Sequence, residues 1–242
     1  MKSNQPIALI TGATDGIGKE VALQLASRGS IVILGARNLE KGEKVVEEFR
    51  RKGVEVDFVY LDVTNEKSII SASLDIGYKY GRLDILVNNA GIGIDTGPLS
   101  QLPFENLKKT FETNVFGTFL VTQHMLTLLR KSEYARIVNV SSGLASLLNM
   151  TDENSPYYNI VLPSYASSKA ALNVLTIHFA RELKSEGIKV NAVEPGLTAT
   201  RNISIPGAQP VEIGAEAIVR YAMIDTNGPT GGFFDRNGSH NW

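Results

Sequence analysis

Residues 7–18 read Ile7-Ala8-Leu9-Ile10-Thr11-Gly12-Ala13-Thr14-Asp15-Gly16-Ile17-Gly18, a short apolar run followed at once by a glycine-rich turn and a segment of helical period. A run of this length and composition reads as a buried strand. Glycines behind it let the backbone turn tightly and approach a pyrophosphate, and the N-terminus of the following helix offers free N–H groups and partial positive charge. Tight turns use glycine for other reasons too, so it is the strand before and the helix after that favour a nucleotide-binding reading.

The same alternation continues outward from this stretch. Runs at 31–34, 56–61, 83–88, 136–140 and 189–193 read as buried strands, and 18–28, 39–52, 66–80, 104–131 and 165–185 read as helices between them. A helix at 211–223 precedes a last strand near 231–234. This order predicts an α/β fold, a doubly wound, mainly parallel sheet of seven strands with helices on both faces. A length of 242 residues suits one such domain, spanning 1–242, without a separate substrate domain. Only 147–162 lacks a clear period. Ligands on such sheets bind beyond the carboxyl ends of the strands, so the chemistry belongs in the loops that follow them.

A formal net charge of -1, from 24 basic and 25 acidic residues scattered along the chain, gives no footprint for nucleic acid or an anionic membrane. No apolar run reaches the roughly 18 residues of a membrane span. The expected partner is a small molecule. Residues 1–6 are polar and lead directly into the first strand, with no apolar signal core, so a cytoplasmic protein is expected. There is no cysteine, which excludes disulfides, thiolate metal sites and a cysteine nucleophile. His124, His178 and His240 show no ligand spacing, and no metal site is expected.

The glycine spacing TGxxxGxG, from Thr11 to Gly18, resembles that of the short-chain dehydrogenase/reductase family, and further motifs match in order along nearly the whole chain. Asp62-Val63 resembles the family's adenine-binding pair, Asn88-Asn89-Ala90-Gly91 its NNAG turn, and Pro195-Gly196-Leu197-Thr198 its PG turn. Asp62 also suits a helix cap, residues 88–91 a structural turn, and Thr198 a turn of its own. The resemblance implies a Rossmann-like fold and a cofactor site at Gly12, Thr14, Asp15, Gly16, Ile17, Gly18, Arg37, Asp62, Val63, Asn89, Ala90, Gly91, Tyr165, Lys169, Pro195, Gly196 and Thr198. At the end of the second strand Ala36 stands where an acid would hold a ribose 2′-hydroxyl, and Arg37 follows, a residue suited to a 2′-phosphate. NADPH/NADP+ is therefore expected over NADH, although Asp15 stands where some NADP-preferring relatives carry a base.

Tyr165 and Lys169 lie four residues apart on a helix and so share one face. YxxxK alone is a common accident, but here it follows a strand ending in Val140-Ser141-Ser142-Gly143, and the combination resembles the family's catalytic core. A free tyrosine, with a pKa of about 10, exchanges protons poorly near neutrality. A nearby ammonium favours the phenolate, and the resemblance implies that Lys169 has this effect and binds the nicotinamide ribose. Either Ser141 or Ser142 suits an oxyanion-type donor by position, and alignment with the family selects Ser142. Asn114 matches the family's fourth catalytic position. Asparagine is unfavourable inside a helix, so a contact to water or to an opened backbone carbonyl is expected there.

The catalytic set is thus Tyr165, Lys169, Ser142 and Asn114. The implied activity is NADPH-dependent reduction of a ketone, aldehyde or quinone; an alcohol, terpenoid or hydroxysteroid dehydrogenase, or a silent NADP-sensing regulator, are the alternatives. The surplus 147–160 resembles a usually larger insertion in the carbonyl reductase branch and is expected to wall the substrate site with apolar residues, while 202–209 is short. Ile92, Ile94, Leu144, Leu148, Tyr158 and Ile203 are pocket-or-core candidates. An insertion before the tyrosine helix can block the family's assembly face, so a monomer is expected over a homodimer or homotetramer.

Overall fold

A computed structural model describes residues 5–95, 97–200 and 207–242. The first apolar run forms β1 (Ile7–Thr11). It is followed by β2 (Ile31–Ala36), β3 (Val56–Tyr60), β4 (Ile85–Asn88), β5 (Arg136–Val140), β6 (Lys189–Val193) and the short β7 (Phe233–Phe234). They build one sheet in the order β3-β2-β1-β4-β5-β6-β7, and every pairing is parallel. The mainly parallel sheet expected is therefore parallel throughout, because a helical crossover precedes each new strand.

Side-chain alternation along β1 shows why these strands read as unbroken apolar runs. Ile7 and Leu9 enter the core on one face, Ala8 and Ile10 the core on the other, and all are buried. The first core is closed by α3 (Glu66–Tyr80), α5 (Thr118–Leu129) and α7 (Pro163–Glu182). The second is closed by α1 (Gly16–Ser27), α2 (Leu39–Arg51) and α8 (Val211–Ala222).

The continuous helix expected at 104–131 is corrected. α4 (Phe104–Phe111) passes into a π-helical stretch, Glu112–Gly117, before α5 begins. The wider turn holds the buried Asn114, whose amide is turned to Ile92 and Ser168. It also brings Gly117 against the loop after β3, where a Cβ would come within 2.8 Å of the Val63 carbonyl oxygen. Within 147–162 the only helix is α6 (Leu147–Thr151), capped by Ser146.

Candidate active site

A cleft of about 390 Å3 opens past the carboxyl ends of β1 to β4, where the strand order reverses. Gly12 and residues 14–18 line it after β1, Arg37 after β2, Asp62 and Val63 after β3, and residues 89–91 after β4. Gly16 opens α1 at φ +52, and the N-cap Asp15 accepts a hydrogen bond from its N–H at 2.8 Å. Gly18 has no room for a side chain: a Cβ would overlap the Asn89 amide nitrogen and lie 2.7 Å from the Gly12 carbonyl oxygen. Asn89 donates to the carbonyls of Thr11 at 2.9 Å and Gly12 at 3.2 Å, and the N–H groups of Asn89 and Ala90 both donate to the Thr11 hydroxyl at 3.0 Å. The turns after β1 and β4 are thereby locked together. Asp62 lines the cleft and also closes its own turn, accepting from the Thr64 N–H at 3.0 Å and hydroxyl at 2.8 Å.

At the β2 end of the cleft Arg37 is exposed and makes no ion pair among the described residues. Beside it on the same wall is Lys41, which the motifs do not single out; its place in the first turn after β2 is the signal that could have found it. Ala36 is buried and leaves no acid at the strand end.

The side chains expected to form the catalytic set stand beyond Gly91. A Cβ on Gly91 would lie 3.3 Å from Lys169 Nζ and 3.4 Å from Asn114 Oδ1, so both converge on the end of the NNAG turn. Asn114 bonds through both amide atoms: Oδ1 accepts from the Ile92 N–H at 2.8 Å, and Nδ2 donates to the Ile92 carbonyl and the Ser168 hydroxyl, each at 2.9 Å. Lys169 is buried and donates to the Val140 carbonyl at 2.7 Å, and burial lowers its pKa to about 8. Burial pushes the Tyr165 phenol above its ordinary pKa; a hydrogen bond with Ser142 opposes the rise and the charge of Glu194 adds to it. The lowering expected from Lys169 is corrected: the phenol is raised, by burial first, and Lys169 Nζ, 5.7 Å from the Tyr165 ring centre, donates to the Val140 carbonyl. Ser142, then, is the serine beside Tyr165, whereas Ser141 is buried and donates to Asn173 at 2.7 Å.

Pro195, Gly196 and Thr198 are not among the residues that line the cleft. Thr198 is buried and keeps its hydroxyl within the turn, donating to the Gly196 carbonyl at 3.0 Å; Thr200 lines the cleft instead. Among the pocket candidates Ile92 lines the cleft, Leu144 is core, and Leu148 and Tyr158 are exposed. Ile203, with most of the short segment 202–209, lies outside the described residues.

The apolar wall expected from 147–160 is in part a polar junction. Glu194, buried just before Pro195, meets the Tyr157 hydroxyl with one carboxylate oxygen and His240 Nε2 with the other at 2.9 Å. Burial, together with this carboxylate, holds the Tyr157 phenol far above its ordinary range, so it donates. Its ring covers Gly143, the neighbour of Ser142, so closely that a Cβ there would overlap it. His240 and Trp242 both pack on Phe233, with ring centres 4.6 and 5.5 Å away. A lone carboxylate ending the apolar run at 189–193 is the sequence signal for this cluster. No set of three or more histidine, cysteine or acidic side chains that could hold a metal ion occurs among the described residues. Nor is any described helix long and apolar enough to cross a membrane.

The family described as short chain dehydrogenase matches residues 6–205. The chain belongs to that family. As a short-chain dehydrogenase it is an oxidoreductase acting on CH–OH groups with a nicotinamide dinucleotide. The short-chain dehydrogenase anuI of Penicillium roqueforti is 38% identical to it over 224 residues, 90% of this chain and 88% of that protein. The NADPH bound carbonyl reductase from chicken fatty liver superposes with a TM-score of 0.87, covering 98% of this chain and 99% of that one; at 23% identity the likeness is one of fold. A short-chain dehydrogenase from Shigella flexneri, complexed with NADP, is 28% identical with a TM-score of 0.84, over 96% of this chain and 97% of that one.

Proposed function

We propose that this short-chain dehydrogenase is an NADPH-dependent carbonyl reductase, converting a ketone, aldehyde or quinone to the alcohol with Tyr165 as general acid. The observation that carries this reading is one cleft with Arg37 and Lys41 at its β2 end and with Ser142, Tyr165 and Lys169 gathered beyond its Gly91 end. The free N–H groups opening α1 suit a pyrophosphate. Arg37 and Lys41 suit a 2′-phosphate, and Ala36 leaves nothing to repel it. Asp62, Val63 and residues 89–91, which line the cleft, would hold the nucleoside, and Lys169 would hold the nicotinamide ribose. The NADP complex of the Shigella flexneri relative supports the same choice of nucleotide.

A bound reduced nicotinamide supplies hydride to the carbonyl carbon. Ser142 donates a hydrogen bond to the carbonyl oxygen as negative charge grows on it. Tyr165 delivers its proton to that oxygen. Burial suits this direction, since a phenol held above its ordinary pKa keeps its proton near neutrality. Lys169 carries its positive charge below pH of about 8.

The test follows NADPH oxidation with a panel of ketones, aldehydes and quinones, repeated with NADH and with Tyr165→Phe. Turnover with NADPH that the variant lacks is expected. Tight NADPH binding without turnover on any carbonyl would overturn the reductase reading, and equal use of NADH would overturn the role of Arg37 and Lys41.

A further inference from the structure

The helix that carries Tyr165 cannot cap itself. Its N-cap, Leu162, has no side-chain acceptor, and Pro163 at the first helical position has no N–H. The regular ladder starts only at Ala166, whose N–H donates to the Leu162 carbonyl at 2.8 Å. Two backbone donors remain, those of Ser164 and of Tyr165 itself.

Both go to one side chain from the loop after β4. Asp95 Oδ1 accepts from the Ser164 N–H at 2.9 Å and the Ser164 hydroxyl at 2.6 Å, and Oδ2 accepts from the Tyr165 N–H at 3.0 Å. The loop that presents Asp95 is itself pinned. Asn114 holds both backbone groups of Ile92, and Asn106 Nδ2 donates to the Ile94 carbonyl at 2.9 Å. Between these points Gly93 lies against the Tyr165 ring, where a Cβ would come within 3.2 Å of Cδ2.

We propose that Asp95 is a positioning residue for Tyr165, capping α7 from the loop that continues the NNAG turn and so setting the phenol relative to the nicotinamide end of the cleft. A carboxylate at a helix N-terminus stabilises the free N–H groups and the positive end of the helix dipole. A cap supplied by the helix's own N-cap residue would do that equally well. The cap from Asp95 differs in tying the helix start to the cofactor loop, so that Tyr165 and the wall beside it move as one body. The inference rests on the reading of Tyr165 as proton donor.

The experiment compares wild type, Asp95→Ala, Asp95→Asn and the double variant Asp95→Ala/Leu162→Ser, measuring kcat, KM for NADPH, NADPH affinity by fluorescence titration, and thermal midpoint. Serine at 162 restores a local cap without restoring the link to the loop. In Asp95→Ala kcat is expected to fall about tenfold or more, as misplacement of a reacting group implies, with NADPH affinity unchanged. Asp95→Asn should fall too, since its amide nitrogen meets a backbone donor where an acceptor is needed. The double variant should recover the thermal midpoint but not kcat. Recovery of kcat with the midpoint would reduce Asp95 to a helix cap and overturn the proposal, as would an Asp95→Ala enzyme with wild-type kcat. If instead Tyr165→Phe stays active, the parent reading fails, and that result is distinct from any of these.

Discussion

The two halves of the site, the cleft and the side-chain cluster beyond its Gly91 end, are built differently. On the cofactor half, the ends of β1 to β4 present backbone, and their turns are closed by short side chains such as Thr11, Asp62 and Asn89. On the reacting half, side chains from segments far apart in sequence hold one another: Asp95 with Ser164, Asn114 with Ser168, Glu194 with Tyr157 and His240. The first half is fixed by strand ends that the sheet already orders. The second depends on charged and polar groups whose partners the sheet does not supply, so its damage should show in turnover and pH dependence more than in cofactor binding.

The largest expected effect separates the halves most sharply. Tyr165→Phe should lower kcat by about 10²- to 10⁴-fold, the usual share of a general acid, while NADPH affinity stays near wild type. A comparable loss of NADPH affinity would break the division. Next, Gly18→Ala should strike the other half: its methyl displaces Asn89 from the Thr11 and Gly12 carbonyls. Overpacking of this kind costs about 1–3 kcal/mol, to be read as a drop in thermal midpoint together with weaker NADPH binding. Arg37→Glu should cost about 1.5–3 kcal/mol of NADPH affinity, the worth of a hydrogen bond to a charged group, and leave NADH affinity nearly intact. Paired titrations with the two nucleotides would check this, and equal losses would refute a 2′-phosphate role.

The smallest effect concerns pH and the reacting half alone. Glu194, by hydrogen bond first, raises His240 above its ordinary pKa of 6.5, against the opposing effect of burial; the Asn241 carbonyl and Asp235 add to the rise. A histidine raised on folding contributes stability that is complete below its unfolded pKa and is lost as pH rises through the folded one. The wild-type thermal midpoint should therefore decline with rising pH just above 6.5, and His240→Gln should flatten that decline. Parallel pH profiles for the two proteins would show that the Glu194 junction bears no such load.

Legibility in the sequence follows the same division. The strand runs, the glycine turn and the NNAG and YxxxK motifs are local patterns, and each lies where such patterns place it on the sheet. Asn114 announced an irregularity through its poor fit to a helix, and the π-helical stretch is that irregularity. Lys41 was harder to see because a lysine on an amphipathic helix is ordinary until a cleft lies beside it. Thr198 carried a motif, yet its hydroxyl is taken by its own turn.

By itself, then, the sequence determined the doubly wound sheet, the glycine turn that opens α1, the cationic end of β2 and the tyrosine–lysine pair, since each depends on spacing within one strand, turn or helix. Only the tertiary structure decided that Asp95 caps a helix lying 69 residues further on, and that Glu194 gathers Tyr157 and His240. The physical reason is that a buried polar group must find a partner wherever the fold leaves one, and the orphaned donors and acceptors come into being only when distant segments pack together.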